Sequence, residues 1–221
     1  MKNYYLLIIP AVIGIFVGIY LSIIENVESG ENVTLLTAEK LLKNGSPMQG
    51  SSRAPITILE WGDYQCTFCY RFHESSLKVI QKEYIETGMV NLVFKDFPLN
   101  GPDSVLAAEA TYCANDQGRY WLYHDELYTN WAGERTGWIT DNSLNMFAES
   151  VDLDIEKFNS CLDDHKYRQK VLDLEQFGRN IGIDATPSFF VFNDEKIIKI
   201  TGNQPLDVFR KVIDALNNSS A

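Results

Sequence analysis

The stretch EWGDYQCTFCYRFH, residues 60–73, places two cysteines two residues apart where one kind of pattern gives way to another. The run ITILEW that leads into it is rich in β-branched residues and bounded by Pro55 and Gly62, which predicts a strand. The residues that follow, FHESSLKVIQKEYIET, have apolar positions at helical spacing, which predicts a helix. We therefore expect Cys66 at the amino end of a helix, with Cys69 about one turn later.

This position favours redox chemistry. Unpaired N–H groups and the helix dipole stabilise an anion, so the pKa of the Cys66 thiol should fall, and Cys69 is near enough to resolve a mixed disulfide. A zinc site needs about four ligands, and Cys66, Cys69 and His73 supply three with no second CxxC or HxxxH pattern, so we expect no metal. Haem attachment is excluded because Tyr70 stands where CxxCH needs histidine, whereas a permanent structural bridge stays open. We assign His73 no catalytic role.

The amino-terminal segment is different in kind. The run from Tyr4 to Ile24 carries no charge, and about 20 apolar residues suffice to cross a bilayer as a helix. Lys2 precedes it and the acidic ENVESGE follows, which predicts a cytoplasmic start and a body outside the cytoplasm. A signal peptide has a shorter apolar core and an Ala-x-Ala site, so we predict a membrane anchor over residues 1–24, with secretion after cleavage as the alternative. A polar stalk is expected over residues 25–53.

The rest of the chain predicts one packed domain over residues 54–221. MVNLVFKDF reads as a second strand, residues 103–180 as helices without a strand, SFFVFN and KIIKITG as a hairpin, and PLDVFRKVIDALNN as a closing helix. The first strand–helix–strand unit predicts a parallel pair. The fold class is therefore α/β, with a mixed sheet of about four strands and an inserted helical subdomain. A net charge of −11 argues against nucleic acid as a partner.

Four segments together, ILEWGDYQCTFCYRFH, VFKDFPL, AAEATYCANDQGRYWLYHDELY and GIDATPSFFVF, resemble DsbA-type thiol–disulfide oxidoreductases over about residues 54–215. The resemblance is to the membrane-tethered or secreted branch, which has a thioredoxin-like fold with a helical insertion. It implies that Cys66 is the exposed nucleophile and Cys69 the buried resolving thiol. It also implies a cis-proline at Pro187, whose loop pairs with the substrate backbone, and a redox-tuning residue at Thr186. The residues by themselves leave open whether Pro187 is cis or trans.

Two further roles concern the neighbours of the cysteine pair. The resemblance implies that Glu60 is the acid on the first strand that moves protons to or from Cys69. A carboxyl group in an apolar strand has a raised pKa, which suits proton transfer, although an exposed edge position is the alternative. Phe68 is expected to be exposed and to offer an apolar contact to substrate chains. Thr67 stands where many members have proline, which leaves the direction of electron flow open.

Cys113 and Cys161 lie in the predicted helical block, far from the CxxC pair. We favour a structural disulfide, which would close a loop of about 49 residues and contribute roughly 4 kcal/mol in the chain-entropy model. Two inert buried thiols, or a second redox pair that passes electrons to the first, are the alternatives. Related proteins carry an extra bridge at this place, which supports the structural disulfide by resemblance.

These observations predict a thiol–disulfide oxidoreductase that needs no cofactor. It would act as an oxidase that gives the Cys66–Cys69 disulfide to exported proteins and is then reoxidised by a redox partner, while its amino-terminal helix holds it in the membrane. One alternative is a reductase or isomerase of the same fold, which the reduction potential distinguishes. Another is a non-catalytic thioredoxin-fold binding module.

Overall fold

The computed structural model describes residues 36–219, so the predicted anchor and the first part of the predicted stalk lie outside the described residues. Between residues 36 and 219, no helix has both the length and the apolar character needed to cross a bilayer. The elements in chain order are α1 (Ala38–Leu42), β1 (Ile56–Gly62), α2 (Thr67–Phe72), a π-helical segment (His73–Leu77), α3 (Lys78–Ile80), a second π-helical segment (Gln81–Ile85), β2 (Val90–Asp96), α4 (Pro102–Asn115), α5 (Tyr120–Thr129), α6 (Asp141–Ser150), α7 (Ile155–Asp163), α8 (Arg168–Asn180), β3 (Ser188–Phe192), β4 (Ile197–Thr201) and α9 (Leu206–Ser219). Residues 67–85 form one continuous helical stretch, called here the active-site helix.

The four strands form one mixed sheet in the order β2-β1-β3-β4. β1 pairs with β2 in parallel, and β3 pairs with both β1 and β4 in antiparallel fashion. β1 and β2 are buried along their whole length, which explains why both read as apolar runs rather than as alternating patterns. The predicted parallel pair, hairpin and four-stranded mixed sheet are confirmed.

An apolar cluster holds the active-site helix on the sheet. The rings of Phe72, Phe189 and Phe209 meet there with centroid separations of 4.6 to 5.3 Å, and all three are fully buried. They come from α2, β3 and α9, so a single contact fixes three elements. Aromatic pairs at such distances add about 0.5–1.5 kcal/mol each beyond the area they bury. The amino end of α2 is thereby held at the end of β1.

The helical insertion, α4 to α8, lies between β2 and β3 in the chain. A disulfide joins Cys113 of α4 to Cys161 of α7, with Cα atoms 5.8 Å apart. α8 packs closely on the site-bearing part of the sheet at Gly178, where an added Cβ would come within 3.0 Å of Phe97 and Trp61. A disulfide therefore links two helices of the insertion, and α8 packs against Phe97 and Trp61 at a position where only glycine fits.

The predicted stalk is wrong for its second half, because residues 37–53 pack onto the sheet. Leu41 of α1 is fully buried, and the backbones of Gln49 and Leu92 exchange hydrogen bonds of 2.8 and 3.0 Å. Ser46 also donates its N–H to the carbonyl of Phe94 at 2.9 Å. Since β2 lies at the edge of the sheet, its outward N–H and C=O groups need partners. A polar segment that satisfies them reads as a tether in the sequence, although it belongs to the folded domain.

Candidate active site

Cys66 caps the active-site helix. It is the N-cap residue of α2, and its sulfur accepts a hydrogen bond from the backbone N–H of Cys69 at 3.5 Å. Its thiol also donates to the carbonyl oxygen of Thr186 at 3.4 Å. The hydrogen bond from the Cys69 thiol is the largest influence that lowers the pKa of Cys66, to about 7, and burial opposes it. A sizeable fraction of the Cys66 side chains is therefore thiolate at neutral pH.

The expectation that Cys66 is exposed is wrong, because only 4% of its surface is accessible. The physical reason is the loop before β3, which places the Thr186 carbonyl against the sulfur and covers it. The Cys66 sulfur is therefore buried beside the loop before β3 and is not exposed on an open surface.

Cys69 has the opposite character. It is fully buried, and burial is the first cause that raises its pKa well above the ordinary value. The hydrogen bond with Cys66, the charge of Cys66 and the charge of Glu60 act in the same direction. Both cysteines are free thiols in this structure. At neutral pH the two cysteines therefore differ: Cys66 is partly a reactive thiolate, whereas Cys69 is a protonated thiol.

Glu60 lies in the middle of the central strand. It pairs in register with Phe94 of β2 on one side and Phe189 of β3 on the other, and 2% of its surface is accessible. The alternative of an exposed edge position is therefore ruled out. Burial, followed by the charge of Cys66, raises the pKa of Glu60 well above its ordinary value. A carboxyl group whose pKa is raised toward neutrality is suited to exchange a proton with a neighbouring group.

The loop before β3 brings Thr186 and Pro187 to the redox pair. The peptide bond between them is cis, and both residues are buried. Phe68, which lies between the two cysteines in the chain, exposes 53% of its surface, with the guanidinium of Arg71 5.5 Å from its ring centroid. A backbone segment therefore contacts the Cys66 sulfur, and an exposed apolar ring follows Cys66 two residues later in the chain.

Sequence reasoning missed a buried carboxyl group that shapes the turn before Cys66. Asp63 accepts hydrogen bonds from the backbone N–H of Gln65 at 2.7 Å, from that of Asn100 at 2.8 Å and from the hydroxyl of Ser104 at 2.7 Å. An Asp directly after an apolar strand run is a common signal for an Asx turn, in which the Asp side chain accepts the backbone N–H two residues later. This signal was present in the sequence and would have identified Asp63 as a turn-forming residue.

His73 joins the active-site helix to the insertion. Its Nε2 lies 3.1 Å from a carboxylate oxygen of Asp125 in α5, and its Nδ1 lies 3.2 Å from Glu74. His73, His124 and Asp125 are also close enough together to suit a metal ion, with ligand atoms within 4.8 Å of one another. However, both ring nitrogens of His73 already face carboxylates, and His124 accepts or donates a 3.0 Å hydrogen bond with the hydroxyl of Tyr64. The cluster is satisfied as a polar junction between two parts of the fold.

Comparisons with known proteins agree with this geometry. A family profile described as Thioredoxin matches residues 43–215. The "Probable disulfide bond formation protein D" of Bacillus anthracis is 31% identical over 170 residues, which cover 75% of each chain. "Disulfide bond formation protein D" of Bacillus subtilis (strain 168) is 30% identical over 158 residues, 70% of each chain. The crystal structure of oxidised BdbD from Bacillus subtilis superposes with a TM-score of 0.70 at 26% identity, covering 79% of this chain and 93% of that one.

Proposed function

The chain belongs to the disulfide bond formation protein D family of DsbA-like, thioredoxin-fold thiol–disulfide oxidoreductases, and we propose that it oxidises exported proteins from a position outside the cytoplasm. The observation that carries the proposal is the position of Cys66 as the N-cap of the active-site helix, with its sulfur accepting the N–H of Cys69, in a chain of the disulfide bond formation protein D family. The pKa of Cys66 lies at about 7, whereas that of Cys69 is raised well above its ordinary value. A stabilised Cys66 thiolate favours the reduced protein, and a protein that prefers to be reduced gives its disulfide away.

The reaction starts from the Cys66–Cys69 disulfide. A substrate thiolate attacks the sulfur of Cys66, forms a new S–S bond with it and displaces Cys69 as a thiolate. Glu60, whose pKa is raised by burial, supplies a proton to the departing Cys69 thiolate. A second thiolate of the same substrate then attacks the substrate sulfur of the mixed disulfide and displaces the Cys66 thiolate. Two electrons have passed from substrate to enzyme, and the substrate leaves with a disulfide.

Two parts of the site are proposed to bind the substrate: the loop before β3 and Phe68. The backbone at Thr186 and Pro187 lies against the Cys66 sulfur, where an extended substrate segment would align its cysteine for attack. Phe68 is exposed and would contact apolar side chains of the substrate. Unfolded chains expose such side chains whatever their sequence. This division provides backbone recognition and apolar contact without demanding a particular substrate sequence.

The apolar run from Tyr4 to Ile24 supports a membrane-anchored position, with the folded domain outside. In that compartment Cys113 and Cys161 keep their disulfide. Turnover requires an electron acceptor that reoxidises Cys66 and Cys69, and a membrane quinone reductase or a small-molecule oxidant would fulfil this role. Neither nucleic acid nor a bound cofactor has a part in this proposal.

The reduction potential of the full chain, purified in mild detergent and equilibrated with glutathione, tests the direction of electron flow. Trapping of free thiols reports the redox state of Cys66 and Cys69, with a Cys66→Ser variant as the control that should show no transition. A value near about −120 mV supports disulfide donation, whereas one near about −270 mV would make the protein a reductase. If Cys66 and Cys69 show no reversible thiol–disulfide transition, the better interpretation is a non-catalytic thioredoxin-fold binding module.

A further inference from the structure

A carboxylate from the helical insertion accepts a hydrogen bond from the first backbone N–H of the active-site helix. The backbone N–H of Thr67 donates a 2.8 Å hydrogen bond to Oε1 of Glu134, which lies 67 residues away in the loop between α5 and α6. Thr67 is the first residue of α2 and directly follows Cys66. A negatively charged side chain therefore binds the backbone N–H of the residue next to the nucleophile.

Contacts on both sides of Glu134 hold the loop at this place. Trp131 donates its indole N–H to the carbonyl of Gln65 at 3.0 Å and stacks on Tyr70 with ring centroids 4.5 Å apart. The backbone N–H of Arg135 donates to the side-chain oxygen of Gln65 at 2.9 Å. Gln65 immediately precedes Cys66 in the chain, so the loop is fastened to the turn that carries the nucleophile. The position of Glu134 is consequently part of the site and not a free surface conformation.

Glu134 and the Cys66 thiolate share the N–H groups of one helix end. The N–H of Thr67 goes to the carboxylate, whereas the N–H of Cys69 goes to the sulfur of Cys66. Two anions at one helix end repel each other, so the carboxylate disfavours the thiolate form of Cys66. In the oxidised protein Cys66 carries no charge, so the repulsion acts only on the reduced thiolate.

We propose that Glu134 is a positioning residue that restrains the oxidising power of the Cys66–Cys69 disulfide by placing a negative charge beside the Cys66 thiolate. The proposal rests on the proposed function, since it concerns the direction and strength of the same redox reaction. It assigns to the insertion an electrostatic role at the CxxC pair.

The test is the substitution Glu134→Gln in the full chain, because glutamine retains an oxygen for the Thr67 N–H and removes only the charge. Glu149→Gln is the matched control, since Glu149 is an exposed residue of α6 and the change of net charge is the same. The glutathione equilibrium of each protein is measured at about pH 5.5 and about pH 8.5, below and above the Cys66 pKa of about 7. Thiolate absorbance of the reduced proteins reports the Cys66 pKa independently.

We expect Glu134→Gln to shift the equilibrium constant roughly three- to tenfold toward reduced protein at the higher pH, or about 15–30 mV. At the lower pH Cys66 is a neutral thiol, so the shift should nearly vanish, and the Cys66 pKa should fall. Added salt should shrink the difference, because Glu134 is exposed to solvent. Glu149→Gln should match the wild type throughout.

An equilibrium constant equal to the wild type at both pH values would overturn the inference. So would a shift of equal size at both pH values, which would indicate a merely structural contribution of the cap, or an equal shift in Glu149→Gln. The proposed function fails by a different result, namely the absence of any reversible transition of Cys66 and Cys69 in the wild type. The two failures are therefore distinguishable in one data set.

Discussion

Replacing both cysteines of the insertion, Cys113→Ala together with Cys161→Ala, should lower the free energy of unfolding by about 4 kcal/mol. The bond joins residues 48 apart, and the chain-entropy relation gives about 14 cal/mol/K for a loop of that length, or about 4 kcal/mol at 25 °C. For a domain of this size each kcal/mol corresponds to roughly 2–4 °C, so the melting temperature should fall by about 8–16 °C. The stabilisation acts mainly on the unfolded chain, which the bond constrains.

Urea unfolding followed by circular dichroism measures this difference. Cys66→Ser with Cys69→Ser provides the background, so that a reducing agent acts only on the insertion disulfide. In that background the reducing agent should destabilise the protein by the same amount as the two alanine substitutions and should have no effect once these are present. A loss below about 1 kcal/mol would refute the reasoning and show that helix packing alone holds the insertion. In the background with an intact CxxC pair, a folded variant that no longer oxidises peptides would instead support the redox relay.

Three further results are expected at the redox pair. The rate of alkylation of Cys66 in the reduced protein should rise with pH, with an inflection at about pH 7. Cys69→Ala should move this inflection to higher pH, because the substitution removes the hydrogen bond that most lowers the Cys66 pKa. An unchanged inflection would contradict this cause. Glu60→Gln should slow reduction of the oxidised pair by a dithiol peptide about tenfold or more in single-turnover measurements at neutral pH, and a wild-type rate would remove the proton-donor role. Phe68→Ala should slow oxidation of an unfolded peptide severalfold while leaving reduction by dithiothreitol unchanged, whereas equal losses for both would argue against a substrate contact.

Local patterns in the sequence were sufficient for the elements that define the sheet. Three such patterns depend on residues close together in the chain. They are the β-branched run before Gly62, the Pro at the start of the last helix, and the strand–helix–strand order that implies a parallel pair. The boundary between stalk and domain failed for the opposite reason. Residues 37–53 have the composition of a tether, and only the unsatisfied edge of β2 makes them part of the fold.

The same limit applies to the site. The capping position of Cys66 follows from the order strand, turn and helix, and it was predictable with its lowered pKa. The burial of Cys66 was not, because it depends on a carbonyl at residue 186 that the sequence places 120 residues away. Glu134 gave no signal at all, since it is one of many acidic residues and its meaning comes only from the N–H that it meets.

If Glu134 acts as proposed, the helical insertion influences the redox pair as well as packing against the active-site helix. It contacts the active-site helix at its first residue through Glu134 and one turn beyond the second cysteine through His73 and Asp125. These contacts come from segments that the chain inserts between the second and third strands, outside the CxxC motif. Because a redox potential changes by about 30 mV for every 1.4 kcal/mol, contacts of ordinary strength at these positions are enough to alter the potential of the pair. On this proposal, the residues between the cysteines are only part of what sets the potential, and substitutions in the insertion offer a way to change it while the CxxC sequence stays constant.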